Sequence, residues 1–210
     1  MKVPITIVME GSDHCGKSTQ TARLIKSLES DGYRVAYVKS PHNDLATHRL
    51  IYWMLFNGWA RRIPNMFQLL QFMNKLFFQL FSLPGLLKTH DYIVFDRWGL
   101  SMHSYGISDG ASSLLTRLLM KLIIDPDLTL ILDRESREKA NADSYESDRG
   151  YQRRVRKMYL DWAFTHRHDV EVIDASLTKD EVSLEILARI NSHFARMEKR
   201  TCHKKISTQN

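Results

Sequence analysis

Residues 11–18 read Gly11-Ser12-Asp13-His14-Cys15-Gly16-Lys17-Ser18. They follow the apolar run Ile5-Thr6-Ile7-Val8-Met9 and open a stretch of helical periodicity. The spacing G-x-x-x-x-G-K-[ST] between a strand and a helix is that of a phosphate-binding loop. Gly11 and Gly16 free the backbone for turns in which successive N–H groups point inward. The start of the helix adds its partial positive end. Lys17 is expected to bridge the outer phosphates of a nucleotide and Ser18 to help hold magnesium. Ser12, Asp13, His14, Cys15 and Thr19 complete the cradle. This segment holds phosphates.

The chain has 210 residues, 43% of them hydrophobic and 26% charged, as expected for one globular domain with a substantial core. Cys15 and Cys202 lie far apart, and Cys15 sits inside the loop, which argues against a disulfide framework and suits a reducing compartment. No zinc-type cysteine–histidine spacing occurs. The first apolar run is short and becomes the loop's strand, so it does not read as a signal peptide. The greasy segment Met66–Leu83 is interrupted by Gln68, Gln71, Asn74, Lys75 and Gln79, which indicates a buried helix and no membrane span. A net charge of +6 fits small polyanions as well as nucleic acid and does not choose between them. A cytoplasmic protein requiring neither membrane nor nucleic acid is expected.

Five short apolar runs read as buried parallel strands: Ile5–Met9, Val35–Lys39, Tyr92–Phe95, Leu128–Leu132 and Val170–Ile173. Helices are expected over 17–30, 45–57, from Pro64 until Pro84-Gly85 breaks the pattern, over 112–123 and over 151–167. Thr178-x-x-Glu181 is a capping box for a last helix whose core face holds Ile186, Leu187, Ile190 and Phe194. The alternation gives an α/β, three-layer P-loop NTPase fold, with a five-stranded parallel sheet flanked by helices and a short lid. Residues 1–197 form a single domain with the lid at about 133–150, and 198–210 form a polar, solvated tail.

Ligands of such a sheet gather at the carboxyl ends of its strands. The first end supplies Asp13. The third supplies Asp96-Arg97, a carboxylate that can position magnesium through water beside a guanidinium that can neutralise a transferring phosphoryl. The fourth opens the charged stretch Asp133–Gly150, where Arg134, Arg137 and Lys139 can close over a bound nucleotide.

Three segments together resemble thymidylate kinases, the nucleoside monophosphate kinases acting on dTMP. Met9-Glu10-Gly11-Ser12-Asp13-His14-Cys15-Gly16-Lys17-Ser18-Thr19-Gln20 is similar to the family's E-G-x-D-x-x-G-K-[ST]-T-Q loop. Residues 96–105, Asp-Arg-Trp-Gly-Leu-Ser-Met-His-Ser-Tyr, resemble D-R-[YW]-x-x-S-x-x-[AS]-[YF], and Asp143-Ser144-Tyr145-Glu146 resembles [ED]-x-Y-E. The resemblance spans roughly residues 3–195. It implies that Asp13 binds the acceptor's sugar, Arg97 contacts its phosphate, and Ser101 and Tyr105 line the thymine and deoxyribose pocket. It also implies that Tyr145 closes over the sugar and that Arg137 meets the donor ATP. An aromatic stacking on the base and a basic residue reading its carbonyl are assigned to Phe72 and Lys75. The resemblance further implies a homodimer.

Two departures stand out. Ser40-Pro41-His42-Asn43 occupies the place of a Phe-Pro-x-Arg element whose arginine clamps the acceptor phosphate. Lys39, His42 and Arg49 are the substitutes at hand, although an ammonium or imidazole lacks arginine's bidentate fork. His14 stands where many members carry arginine. The expected reaction is transfer from ATP to dTMP with Mg2+, giving dTDP. A kinase for free deoxynucleosides or a wider range of monophosphates, and a nucleotide-binding switch or ATPase associated with nucleic acid, remain as alternatives.

Overall fold

The computed structural model describes residues 4–43, 46–135 and 148–207. Strands β1 (Ile5–Glu10), β2 (Val35–Lys39), β3 (Tyr92–Asp96), β4 (Leu128–Asp133) and β5 (Val170–Asp174) form one sheet in the order β2-β3-β1-β4-β5. Every pairing is parallel. Each strand is where its apolar run places it, and four of them extend one residue further, onto an acidic side chain. Carboxylates therefore mark the carboxyl edge of the sheet: Glu10, Asp96, Asp133 and Asp174.

Both faces of β1 are covered, which is why its run is apolar without alternation. Ile7 and Met9 join the cluster of Leu24, Leu28, Val94, Leu130, Ile173, Ile186 and Ile190 beneath α1 (Lys17–Ser30) and the last helix. Val8 joins the opposite cluster, with Val38, Phe72, Phe78, Phe95 and Trp98. The second layer continues through Leu100, Ile131, Tyr151, Val155 and Tyr159.

The remaining helices are α2 (Ala46–Phe56), α3 (Trp59–Arg62), α4 (Pro64–Phe77), α5 (Leu83–Thr89), α6 (Gly99–Ser108), α7 (Ser113–Met120), α8 (Arg149–Thr165) and α9 (Lys179–Ser207). Of these, α7, α8 and α9 start on side-chain caps. The Asp148 carboxylate accepts from Tyr151 N at 2.9 Å, and Thr178 and Glu181 close the expected box at 2.7 and 2.9 Å. One boundary differs from expectation. Pro84-Gly85 does not terminate a helix: a π-helical turn, Phe78–Ser82, links α4 to α5, and Pro84 sits in the first turn of α5. A missing N–H costs nothing there, because those groups have no intrahelical partner. The backbone of α9 is helical to Ser207, beyond the residue where a tail was expected. Most of the expected lid, including Arg137, Lys139 and Tyr145, lies outside the described residues.

Candidate active site

Backbone geometry fixes the floor of the site. Gly11 has φ 137°, and a Cβ there would lie 2.5 Å from the Leu132 carbonyl oxygen, so only glycine passes between β1 and β4. Gly16 turns the chain into α1 at φ 97°. Lys17, the first residue of α1, is buried and folds back over the loop, its Nζ donating to Gly11 O at 3.0 Å and Ser12 O at 2.6 Å. Burial, then Arg97, draws its pKa down, against Cys15, Asp13 and Asp96. Ser18 and Thr19 are exposed at the mouth. Cys15 is buried and joins the core beneath the loop.

Arg97 follows β3 at φ 68°, a conformation costing a non-glycine residue about 1–2 kcal/mol. That turn aims its guanidinium at the phosphate loop. Nη1 donates to Gly11 O at 3.2 Å and Ser101 Oγ at 3.4 Å, while Nη2 pairs with Asp13 Oδ1. The guanidinium also lies over the Tyr105 ring, 4.9 Å from its centroid. Asp13 is held from three elements, because its Oδ2 accepts from Tyr105 OH at 2.8 Å and Gln152 Nε2 at 2.9 Å. Burial alone would raise its pKa; Arg97, Lys17, Gln152 and Tyr105 outweigh that and keep it lowered. Asp13 is therefore an anion at neutral pH, and Tyr105, whose pKa burial pushes up, is a donor to it.

Asp13, Lys17, Arg97, Ser101 and Tyr105 thus converge as the sequence reading requires. Three further residues complete the arrangement. Gln152 of α8 bonds Asp13 twice, its Oε1 also accepting from Asp13 N at 3.1 Å. Glu10, fully buried at the end of β1, accepts from Trp98 N at 2.8 Å and Ser101 N at 3.1 Å with Oε1. Its Oε2 takes Tyr159 OH at 2.9 Å and the Ser101 hydroxyl. One carboxylate thereby satisfies the first amides of α6 and fixes the helix that carries Ser101 and Tyr105. Gln152 and Tyr159 are invisible in sequence because α8 is brought to the loop only by folding. Glu10 was legible as part of the loop pattern, but its task was not. Glu10→Ala would orphan the amides of Trp98 and Ser101 and leave the Ser101 and Tyr159 hydroxyls, 2.8 Å apart, only each other, so urea denaturation is expected to register a loss of ~3 kcal/mol or more.

Other assignments fall differently. Phe72 is 7% exposed and packs in the core cluster with Phe78, Phe95 and Trp98. On a helix starting at Pro64 position 72 faces the sheet, whereas Gln71 lies one turn from Lys75 and accepts from its Nζ at 3.5 Å. Lys75 is buried, and burial draws its pKa down to about 8; Glu10 opposes the shift and Arg97 adds to it. The sign follows: between pH 8 and the ordinary 10.5 the folded protein holds fewer protons than the unfolded chain, so stability due to Lys75 rises with pH across that window. Lys75→Met should be more stable than wild type at pH 7, and the gap in urea midpoint should shrink from pH 8 upward.

Lys39 is exposed at the end of β2, in register with Asp96. His42 packs its ring against Phe78 at 4.5 Å, with its backbone tied to Asn74 at 2.7 Å. At α8, Arg156 pairs with Asp133, at 2.8 Å between Nη2 and Oδ2, and Arg153 with Glu135 at 3.5 Å. Part of the helix's basic charge is thus answered within the protein. Among the described residues no three or more histidine, cysteine, aspartate or glutamate side chains cluster as a metal cage. An exposed Ser18 hydroxyl and the Asp96 carboxylate, close enough to Lys17 to perturb it, suit Mg2+, which is commonly held by one carboxylate, waters and substrate phosphates.

The chain is similar to known proteins along most of its length. The family model described as thymidylate kinase matches residues 9–186. The thymidylate kinase of Idiomarina loihiensis is 27% identical over 203 residues, covering 90% of this chain and 97% of its own. The thymidylate kinase of African swine fever virus is 26% identical over 196 residues, covering 88% and 76%. Two solved thymidylate kinases share the fold: that of Ehrlichia chaffeensis with TM-score 0.70 and 23% identity, covering 90% of this chain and 99% of its own, and that of Candida albicans with TM-score 0.72 and 24% identity, covering 90% and 92%.

Proposed function

The chain belongs to the thymidylate kinase family, and on that premise we propose a mechanism in which this site moves the γ-phosphoryl of ATP onto dTMP. The protein is a nucleoside monophosphate kinase: it phosphorylates dTMP to dTDP and so contributes to dTTP supply. The observation that carries the mechanism is the Arg97 guanidinium, which contacts Gly11 of the phosphate loop and Asp13 at once. Donor and acceptor phosphates meet on either side of that group.

Catalysis is then positioning and charge neutralisation, with no covalent intermediate. Lys17 exchanges its bonds to loop carbonyls for the donor's outer phosphate oxygens. Arg97 follows the moving phosphoryl, and Asp13 keeps Arg97 aimed and receives the acceptor's sugar. Ser18 and, through water, Asp96 would hold Mg2+, which would supply neutralisation of the donor's phosphate charge. By the family resemblance, Arg137 is assigned to the donor ATP and Tyr145 to the acceptor's sugar. Lys39, Lys75, Ser101 and Tyr105 serve the acceptor.

We assign the protein to the cytoplasm, whose reducing environment suits the free thiol of Cys15 buried in the loop; among the described residues no helix is long and apolar enough to span a membrane. We also propose a homodimer through α2 and α4, whose Trp53, Phe56, Met66 and Leu69 are exposed. Sedimentation as a monomer at micromolar concentration would remove that assignment. The reaction is tested by ADP release with Mg-ATP and dTMP, dUMP, UMP, AMP, GMP or thymidine, products being identified by mass. Preference for dTMP with dTDP formed is expected. Preference for thymidine, or ATP loss without a phosphorylated product, would overturn the reading.

A further inference from the structure

We propose that Tyr37, a residue outside every motif of the family, is a positioning residue for the Asp96 carboxylate. The inference rests on the reading that Asp96 holds magnesium through water. Along β2, Ala36 and Val38 face the core cluster that also takes Ile93 and Phe95 of β3. Tyr37 therefore stands on the opposite face, as does Asp96, which follows Phe95 by one residue. This is the face that α1 covers, and with it Lys17 and Ser18.

The strands pair Tyr37 with Val94 and Lys39 with Asp96. Tyr37 is diagonal to Asp96, a separation that an aromatic side chain spans. Its hydroxyl donates to Asp96 Oδ2 at 3.1 Å. A carboxylate without a partner turns freely about its last bond, and here the Lys17 ammonium lies near enough to attract it. The tyrosine hydroxyl engages one oxygen and leaves Oδ1 for a water of the metal shell. Asp96 itself stands one step behind the metal's ligands, where such groups set ligand orientation and affinity, and Tyr37 fixes the orientation of that carboxylate. The phenol lies on an edge strand and is half exposed, so removing only its oxygen leaves the core untouched.

The test uses the full-length chain, Mn2+ as the probe and electron paramagnetic resonance titration with a non-hydrolysable ATP analogue present. Tyr37→Phe should weaken Mn2+ binding roughly 10-fold, with the analogue's metal-free affinity and the melting temperature unchanged. Asp96→Asn, titrated in parallel, should weaken it at least as much. Unchanged Mn2+ affinity in Tyr37→Phe with a loss in Asp96→Asn overturns the role of Tyr37 alone. No loss in either variant overturns the reading of Asp96 and this inference with it. An equal loss of metal-free affinity in Tyr37→Phe would mean a general disturbance of the site, and that too overturns it.

Discussion

Arg97→Ala is expected to lower kcat by on the order of 10³ while changing the KM for ATP only a few-fold. Such a factor corresponds to ~4 kcal/mol of lost transition-state stabilisation. The donor's contacts with the loop amides and Lys17 survive the substitution. What disappears is the group that spans Gly11 and Asp13, where charge develops during transfer. Asp13 keeps Tyr105 and Gln152, so the fold should tolerate the change. Arg97→Lys should recover only part of the rate, since one ammonium cannot meet Gly11, Ser101 and Asp13 together. Steady-state kinetics against both substrates decide the matter, and wild-type turnover in Arg97→Ala would exclude the role.

Lys17→Ala is expected to bring dTDP formation to background, at least 10³-fold down, and to weaken ATP binding as well. The difference from Arg97 is physical. Lys17 meets the donor in the ground state and remains on it in the transition state, so both KM and kcat suffer. The protein itself should stay folded. Gly11 O retains Arg97 as a donor, and the substitution removes an ammonium whose burial is costly. A melting temperature near that of wild type, with no product in single-turnover assays, is the expected pair of results. Retained transfer in Lys17→Ala would rule out the phosphate-loop mechanism.

The pattern Gly11–Ser18 with its preceding apolar run was sufficient to place a glycine loop between a strand and a helix of a parallel sheet, because glycine spacing and buried-strand composition are local properties. The central strands β1, β3 and β4 were legible for the same reason: a strand covered on both faces must be apolar throughout, whatever its neighbours are. Asp96-Arg97 could be named as a pair at a strand end, since strand order does not affect which residues terminate a strand.

Folding decided the rest. The face that Phe72 presents depends on how α4 meets the sheet, and packing turned that ring inward and left Lys75 beside Glu10 and Arg97. A greasy helix offers several apolar residues of equal merit, so composition could not choose among them. The breaking strength of Pro84-Gly85 depended on its place within a turn, which a local reading misjudged. Gln152, Tyr159 and Tyr37 reach the site across 139, 149 and 59 positions of chain, to Asp13, Glu10 and Asp96 respectively. No local pattern records contacts at such separations. Local pattern was enough to locate the strand–loop–helix of Gly11–Ser18 and the apolar strands around it. The side chains that hold Asp13, Glu10 and Asp96 in place emerged only with packing, because burial and hydrogen bonding between distant segments exist only after the helices have packed onto the sheet.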